Sequence, residues 1–446
     1  MIIMMVEYVY KTKEGEEEMN SKNCIKKVHA IQVYTRRHVL GIKAFVETEG
    51  GAKGQAECSA GVSIGSHEVH FEYDGGTRWG GKGCTKAVNS INTVINDTLR
   101  GMDVTNQYEL DRAMLQIGGD GKNAVGGNAI AAVSAACLKA GAAALEIPLY
   151  RYIGGERACM LPVPGAPAYS GGERWGGGVH PTGNKPTTAF QCYDFGSFAE
   201  ASYAGWEVYR IWEEEMFKRD IPETDAFFFK IQKGKFKDSD EGIFELMADC
   251  IRKAGYENKV GIQIDFAADT YYDRETKLYR GLLYEKPRDR DELMDYYIKI
   301  IRTYPFVSVE DPFYEDDYES HALLTSKVDI QVVGDDLYTT MRERVQKGVL
   351  LGATNAMLLK VNQVGSITEA LEAARFAHES GLAVMPCESR GEDQDIADYC
   401  VGIGAESVRE MAVLNKAANR FLEIEEELGG RAQFWGKKGL KGKKFQ

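Results

Sequence analysis

Apolar and polar positions alternate in the first part of the chain and then change to a helical period. Within residues 24–75, "KKVHAIQVYTR" and "IKAFVETEGG" predict two β-strands joined by a short turn. The segments that follow carry apolar residues at helical spacing: "KAVNSINTVINDTLRG", "QYELDRAMLQIG" and the alanine-rich "NAIAAVSAACLKAGAAALEI". Strands followed by helices predict an α+β domain.

From "LPVPG" at residue 161 onward, apolar β-rich runs alternate with helical ones. The β-rich runs are "AFFFKI", "KVGIQIDF", "FVSVEDP", "IQVVGDD", "NAMLLKVNQ" and "LAVMPCES", and one of the helices between them lies near 318–325. Strands of a buried parallel sheet have continuous apolar runs of this kind. About 280 residues of repeated βα units suit a (β/α)8 barrel of the TIM type.

These patterns predict three segments. We expect an N-terminal extension over 1–23, an α+β domain over 24–155 and a barrel domain over 156–446. A chain of 446 residues is too long for one ordinary core, so one small and one large domain are expected.

Composition excludes several classes of partner. A net charge of −13 argues against nucleic acid or an anionic membrane, because phosphates require clustered Lys and Arg. Nine cysteines without a CxxC motif fit a reduced cytoplasmic protein. We find no run of 18 apolar residues and expect no membrane span.

Several predicted barrel strands end in residues that can carry chemistry: Asp265, Glu310 and Asp311, Asp335 and Asp336, and Lys360. Because catalytic residues of such barrels lie at the carboxyl ends of strands, these side chains are expected on one face. One such acid alone would be more often a helix cap or a loop residue. Carboxylates from three successive strands repel one another unless a cation compensates them, and an oxygen-rich site with few ligands suits Mg²⁺.

A divalent cation beside Lys360 suits the removal of an α-proton from a small carboxylate substrate. The cation stabilises the enediolate that forms when the proton leaves. We also expect the positive charge to lower the pKa of the lysine toward that of a useful base.

Longer stretches resemble the enolase family over nearly the whole chain after residue 24. "GVSIGSHEVHFEYDGG" is similar to its mobile substrate loop, "GGNAIAAVSAACLKAGA" to its capping domain, and "VSVEDPFYEDD", "IQVVGDDL" and "LLKVNQVGSITEA" to its barrel. The resemblance implies an α+β cap, a barrel and a homodimer or higher homo-oligomer. By position it implies that Asp265, Glu310 and Asp335 are metal ligands. It also implies that Ser63 is a loop serine that caps a metal and that Lys360 is the proton-abstracting base.

The chain departs from the family at positions that contact the substrate. Lys230 stands where the family has the acid of "GDEGG", and Ala189 stands at the glutamate of "QEF". In "CESRGE", Glu388 takes the place of a histidine and Ser389 that of a phosphate-binding arginine, with Arg390 one position later. Ala417 stands at the substrate-binding lysine, with Lys416 beside it.

These departures affect the expected reaction, because loss of one acid or donor typically costs a factor of about 10²–10⁴ in rate. We predict a lyase that acts on a small carboxylate other than 2-phosphoglycerate. One alternative is an epimerase or isomerase that uses Lys230 and Lys360 as opposed bases. An equally expected role for Lys230 is to pair with a carboxylate of the substrate or of a loop. The others are a glycolytic enolase with a rearranged site and a non-catalytic enolase-like binding protein.

Further candidates for substrate binding come from two loops. They are Arg390, Ser389 and Glu388 near the last predicted strand, His180 and Glu173 in a lengthened loop, and His67 in the lid. Loops commonly carry specificity on this scaffold, although a surface role for His67 is equally expected.

Overall fold

A computed structural model describes residues 21–35, 39–59, 65–171, 184–223, 228–231, 235–236, 241–280, 286–388, 390–410 and 413–446. These residues fall into two compact units. The first contains Val69–Tyr152, Val361–Ala370 and the described residues before Ala60. The second contains Ile153–Lys360, Leu371–Gln446 and the described residues from 65 to Glu68.

The N-terminal part of the chain forms a small sheet followed by helices. Its elements are β1 (Ile25–Tyr34), β2 (Leu40–Thr48), β3 (Lys53–Cys58), α1 (Thr85–Ser90), a π-helical turn (Ile91–Ile95), α2 (Asn96–Leu99), α3 (Gln107–Gly118), α4 (Gly127–Ala144) and α5 (Leu149–Gly154).

The first unit is built on an antiparallel sheet in the order β1-β2-β3. Val28 pairs with Val46, and both are buried, as the alternating pattern predicts. Helix α4 packs on β2 and β3. A Cβ at Gly54 would lie 2.1 Å from the Ala136 carbonyl oxygen, so this close approach of strand and helix requires glycine.

The sequence predicts the helices of this unit well and one strand poorly. The helix predicted at "QYELDRAMLQIG" is confirmed at α3. The two predicted strands are confirmed as β1 and β2, whereas β3, which completes the sheet, is missed because its small and polar residues have low β-propensity. Helix α4 is long and apolar enough to cross a membrane, but 83% of that stretch is buried inside the fold. Core packing therefore accounts for its composition.

The second part of the chain alternates strands and helices. Its strands are β4 (Met160–Leu161), β5 (Gly165–Gly171), β6 (Asn184–Cys192), β7 (Phe229–Lys230), β8 (Val260–Asp265), β9 (Tyr272–Asp273), β10 (Leu278–Tyr279), β11 (Phe306–Glu310), β12 (Gln331–Gly334), β13 (Ala356–Leu359), β14 (Ala383–Pro386) and β15 (Gln433–Phe434). Its helices are α6 (Phe198–Phe217), α7 (Glu241–Lys253), α8 (Arg290–Thr303), α9 (Tyr318–Lys327), α10 (Arg342–Leu351), α11 (Ile367–Glu379), α12 (Ile396–Ile403) and α13 (Lys416–Leu428).

Eight strands form one sheet in the order β14-β13-β12-β11-β8-β6-β5-β7. Strands β8 and β11 to β14 run parallel, and their buried apolar side chains pack against the helices. Beyond β14, the Arg409 amide donates to the Pro386 carbonyl at 3.1 Å, and the Val408 amide donates to the Val163 carbonyl at 3.0 Å. Residues 407–409 therefore join the last strand to the start of β5 and complete the barrel.

Two details differ from the parallel barrel that the sequence predicts. Strand β6 runs antiparallel to both β5 and β8. Neither β5 nor β6 is among the strands predicted from the apolar runs, and an antiparallel pair needs no crossover helix. The run "AFFFKI", predicted as the second barrel strand, contributes β7, which is third in chain order and pairs with β5. Residues 226–227 of that run lie outside the described residues.

Candidate active site

The ends of four neighbouring strands bring together the predicted acids and the predicted base. Asp265 ends β8 and Glu310 ends β11, and the two are direct partners in the parallel register. Asp335 follows β12 and Lys360 follows β13. All four side chains are buried.

Asp311 links two groups of carboxylates at these strand ends. Oxygens of Asp265, Glu310 and Asp311 lie within 4.8 Å of one another, and so do those of Asp311, Asp335 and Asp336. The amides of Asp335 and Asp336 donate to the Asp311 carboxylate at 2.9 and 2.7 Å. Burial raises the pKa of Asp311 well above its usual value, and so do the neighbouring Asp336, Asp335 and Glu310 carboxylates.

The backbone at these strand ends is held in an unusual conformation. Ala267 and Asp311, just beyond β8 and β11, have φ values of 43° and 42°. The left-handed region is unfavourable for residues with a side chain and recurs at functional sites. The Ala268 amide donates to the Asp311 carbonyl at 3.1 Å, which ties the two turns together.

This donor set fits Mg²⁺. The ion prefers carboxylate oxygens and needs only one or two from the protein, with water or substrate in its remaining positions. Buried carboxylates within 4.8 Å of one another repel in a low-dielectric interior, and a divalent cation removes that repulsion. The residues that would hold it are Asp265, Glu310, Asp311, Asp335 and Asp336.

Lys360 is the buried cation of the second carboxylate group. Its Nζ donates to Asp335 Oδ2 at 2.5 Å, and its amide donates to Thr340 Oγ1 at 3.1 Å. Burial acts to lower the pKa of Lys360, but the Asp335, Asp336 and Glu68 carboxylates outweigh burial and Arg390, so the pKa is raised. The lowered pKa expected from the sequence depends on the charge of a bound cation; among the protein charges alone, the carboxylates nearest to the amine raise it.

Arg409 is a second buried cation, and it faces the first carboxylate group. Its guanidinium pairs with Asp265 and lies 3.3 Å from Glu310 Oε2 and 2.7 Å from Glu410 Oε2. It also donates to Thr187 Oγ1 at 2.7 Å. Two of the predicted metal ligands thus share an internal positive charge.

Arg390 lies close enough to Lys360 to affect its pKa, and its own charge is taken by Glu68. Both nitrogens of the Arg390 fork bond the two oxygens of Glu68, and the pair is buried. The Arg390 amide donates to Glu392 Oε2 at 3.1 Å. Burial and the neighbouring Glu388 raise the pKa of Glu392 to about 6.

The remaining predicted site residues are less closely associated with this cluster. His67 is half exposed and its Nε2 lies 3.0 Å from Asp316 Oδ1. Lys230 is partly buried at the end of β7, in register with Ser170. Glu388 follows β14 and is partly buried. Four predicted residues lie outside the described residues: Ser63, Glu173, His180 and Ser389.

Two of the positions that depart from the family pattern are buried and apolar, and a third residue beside one of them is a surface charge. Ala189 lies within β6 opposite Gln263, and Ala417 is buried in the first turn of α13. Lys416 is exposed, and its Nζ lies 3.1 Å from Asp393. Lys416 therefore does not replace the missing substrate-binding lysine within the described site.

Sequence reasoning missed Glu68, Arg409 and Glu410. Glu68 lies within the stretch that resembles the substrate loop, but an acid that orients an arginine more than 300 residues away has no local signal. Arg409 and Glu410 lie in "ESVREM", which has neither the length of a strand nor a helical period. Only the bonds of Val408 and Arg409 to the barrel identify this segment as part of the sheet.

Comparison with known proteins agrees with the architecture. Residues 25–153 match the family model described as "Enolase, N-terminal domain", and residues 159–443 match "Enolase, C-terminal TIM barrel domain". The enolase of Methanopyrus kandleri is 36% identical over 91% of this chain and 96% of its own length. The enolase of Pyrococcus furiosus is 37% identical over 86% and 91%, and that of Methanocaldococcus jannaschii 35% identical over 92% and 97%.

These relatives favour one of the alternatives from the sequence, a glycolytic enolase, over a lyase for a different carboxylate. Enzymes of the family are Mg²⁺-dependent lyases, and the buried carboxylate groups provide oxygen ligands for that ion. With both domains matched in order over most of the sequence, the chain belongs to the enolase family.

Proposed function

We propose that the chain is an enolase-type lyase in which Lys360 removes the α-proton of a small carboxylate, and that 2-phosphoglycerate is the first substrate to consider. The observation that carries the proposal is the contact of the buried Lys360 Nζ with Asp335 at 2.5 Å, beside the two carboxylate groups. The names of the relatives support the choice of substrate.

Lys360 has the position that a base requires. It sits at the end of a rigid strand, and the Thr340 hydroxyl holds its backbone. Bound Mg²⁺ supplies charge that stabilises the substrate carboxylate as negative charge develops on it. A cation on Asp335 would also weaken the attraction that raises the pKa of Lys360, which favours the neutral amine that accepts a proton.

Arg390 is the residue we assign to the substrate anion. Its guanidinium is buried close to Lys360, and arginine binds phosphate and carboxylate in a bidentate manner. Glu68 holds it in a fixed orientation. The position of Arg390 one residue after that of the family's arginine supports the same role.

A second candidate is elimination from a small carboxylate that carries no phosphate. Ala417 is buried and apolar where the family has a lysine, Ala189 replaces a glutamate, and the charge of Arg390 is already paired with Glu68. These features weaken the grip on a phosphorylated substrate. Lys230 is the candidate acid or second base here, and the epimerase alternative depends on it.

The test is turnover of 2-phosphoglycerate by the full chain with Mg²⁺. Dehydration at an ordinary enzyme rate, about 10 s⁻¹, supports the first candidate. Absence of dehydration of 2-phosphoglycerate, together with Lys360-dependent loss of water from another hydroxycarboxylate, would support the second. Exchange at the α-carbon without loss of water would support the epimerase.

The oligomeric state and cellular location that we propose rest on the same resemblance. We infer a homodimer or higher homo-oligomer in the cytoplasm, with a small carboxylate as the substrate. The net charge of −13 supports the expectation that neither nucleic acid nor membrane is a partner. Sedimentation of the purified chain tests the oligomeric state.

A further inference from the structure

A guanidinium lies inside the acidic cluster, against two of the predicted Mg²⁺ ligands. Arg409 is 3% exposed. Its terminal nitrogen bonds Asp265 Oδ2, and its Nε lies 3.3 Å from Glu310 Oε2. An arginine stays protonated in proteins, so this is a permanent positive charge.

The carboxylate of Asp265 is bonded at both oxygens. Oδ1 accepts the Ala267 amide at 2.9 Å, within the left-handed turn after β8, and Oδ2 accepts Arg409. Each oxygen keeps a second lone pair, but a metal ion at Oδ2 would lie beside a guanidinium that is also positively charged. The two cations therefore compete for this carboxylate.

A third carboxylate, Glu410, lies beside the guanidinium at the same Nε that faces Glu310. Glu410 Oε2 is 2.7 Å from Arg409 Nε, and Glu410 belongs to neither carboxylate group at the strand ends. The Arg409 amide is fixed to the Pro386 carbonyl, so the guanidinium can only turn about its side-chain bonds. Glu410 is thus placed to receive it.

We propose that Arg409 is a tethered competitor of Mg²⁺ at Asp265 and Glu310, and that Glu410 takes its guanidinium when the ion binds. The proposal rests on the Mg²⁺ dependence of the proposed function, but it concerns metal affinity and not the identity of the substrate. Arg409 sets the Mg²⁺ concentration at which the site fills.

Opposite changes in affinity distinguish this role from a structural one. Arg409→Met removes the competitor, so the Kd for Mg²⁺ should fall at least about tenfold, given the size of a unit charge a few ångströms away. Glu410→Gln removes the receiving carboxylate and should raise the Kd several-fold. A residue that only cross-links strands would, when replaced, leave the affinity unchanged or weaken it in both variants.

The experiment is calorimetric titration of MgCl₂ into the full chain, freed of metal with a chelator and free of substrate. Arg420→Met and Glu427→Gln are matched controls, because these residues form an ion pair of 2.7 Å on α13 and should keep the wild-type Kd. An unchanged or raised Kd in Arg409→Met would overturn the proposal. Should Arg409→Met not fold, Arg409→Gln removes the same charge while keeping a polar side chain, and an unchanged or raised Kd in that variant would overturn the proposal.

Because no substrate is present, this result is independent of the proposed reaction. If the variants show the predicted shifts in Kd but the chain does not turn over 2-phosphoglycerate, the role of Arg409 is supported and the proposed substrate is refuted. If the chain turns over 2-phosphoglycerate but the shifts in Kd are absent, the substrate is supported and the role of Arg409 is refuted.

Discussion

Each of the two carboxylate groups at the strand ends pairs with one buried cation, but the two cations differ in kind. We call these the Lys360 half and the Arg409 half of the acidic cluster. On one side Lys360 pairs with Asp335, and on the other Arg409 pairs with Asp265. A lysine can give up its proton when its surroundings change, whereas a guanidinium cannot. The difference assigns the chemistry to the Lys360 half and a fixed compensating charge to the Arg409 half.

The largest expected effect is on activity, in a comparison of two lysines of the second unit, the buried Lys360 and the exposed Lys416. Lys360→Ala should lower kcat by about 10³-fold, because a positioned proton acceptor typically contributes 10²–10⁴. Lys416→Ala is the control, since Lys416 is exposed and its Nζ pairs with Asp393 at 3.1 Å on the surface. Steady-state kinetics with 2-phosphoglycerate measures both. Equal activity of the two variants would remove Lys360 from the base role.

A second change acts on Arg390, the cation beside the Lys360 half. Glu68→Gln leaves the buried Arg390 without its charged partner and should lower the free energy of unfolding by about 3–5 kcal/mol. It should also raise KM, because the guanidinium loses its orientation. Glu57→Gln breaks a half-exposed pair with Lys43 and should cost less than about 1 kcal/mol. Denaturant unfolding and kinetics compare them. A similar loss in both would contradict the assigned role of Glu68.

A third change tests the pH dependence near Arg390. Burial and Glu388 raise the pKa of Glu392 to about 6 from 4.5. The folded state then holds its proton more tightly than the unfolded chain, so stability falls as pH rises from 4.5 to 6. Glu392→Gln should lose that dependence and gain about 2 kcal/mol of stability at pH 7 relative to the wild type. Unfolding at pH 4.5 and pH 7 measures it. A variant that follows the wild-type pH profile would refute the assignment.

The smallest expected effect on activity lies on the Arg409 half. Thr187→Val removes a 2.7 Å bond to the guanidinium and should cost about 1.5–3 kcal/mol of unfolding free energy at most, with kcat nearly unchanged. Thr303→Val removes an exposed hydroxyl bonded to the Lys299 carbonyl and serves as control. A large fall in kcat in Thr187→Val would mean that the Arg409 half takes part in the chemistry.

The sequence predicts those parts of the molecule whose cause is local. The long helices follow from their period, and the residues at the ends of β8, β11, β12 and β13 follow from the apolar run that precedes each one. Strand β6 was missed because its antiparallel direction depends on pairing with β8, which no local pattern carries. The contacts of Arg409 and Glu68 are missed for the same reason, since each joins residues more than 140 positions apart.

The direction of the pKa shift at Lys360 cannot be predicted from the sequence either. It depends on how closely Asp335, Asp336 and Glu68 approach the amine and how far Arg390 offsets them. Those distances are set by the packing of strand ends and loops. The types of residue at the site could be predicted, but their balance of charge could not.

The most direct test of the central claim follows the α-proton itself. The full chain with Mg²⁺ and 2-phosphoglycerate in D₂O can be monitored by proton NMR, beside Lys360→Ala. We predict loss of the α-proton signal with the wild type and none with the variant. Loss of the signal at an equal rate in Lys360→Ala, or no loss with the wild type, would contradict the account.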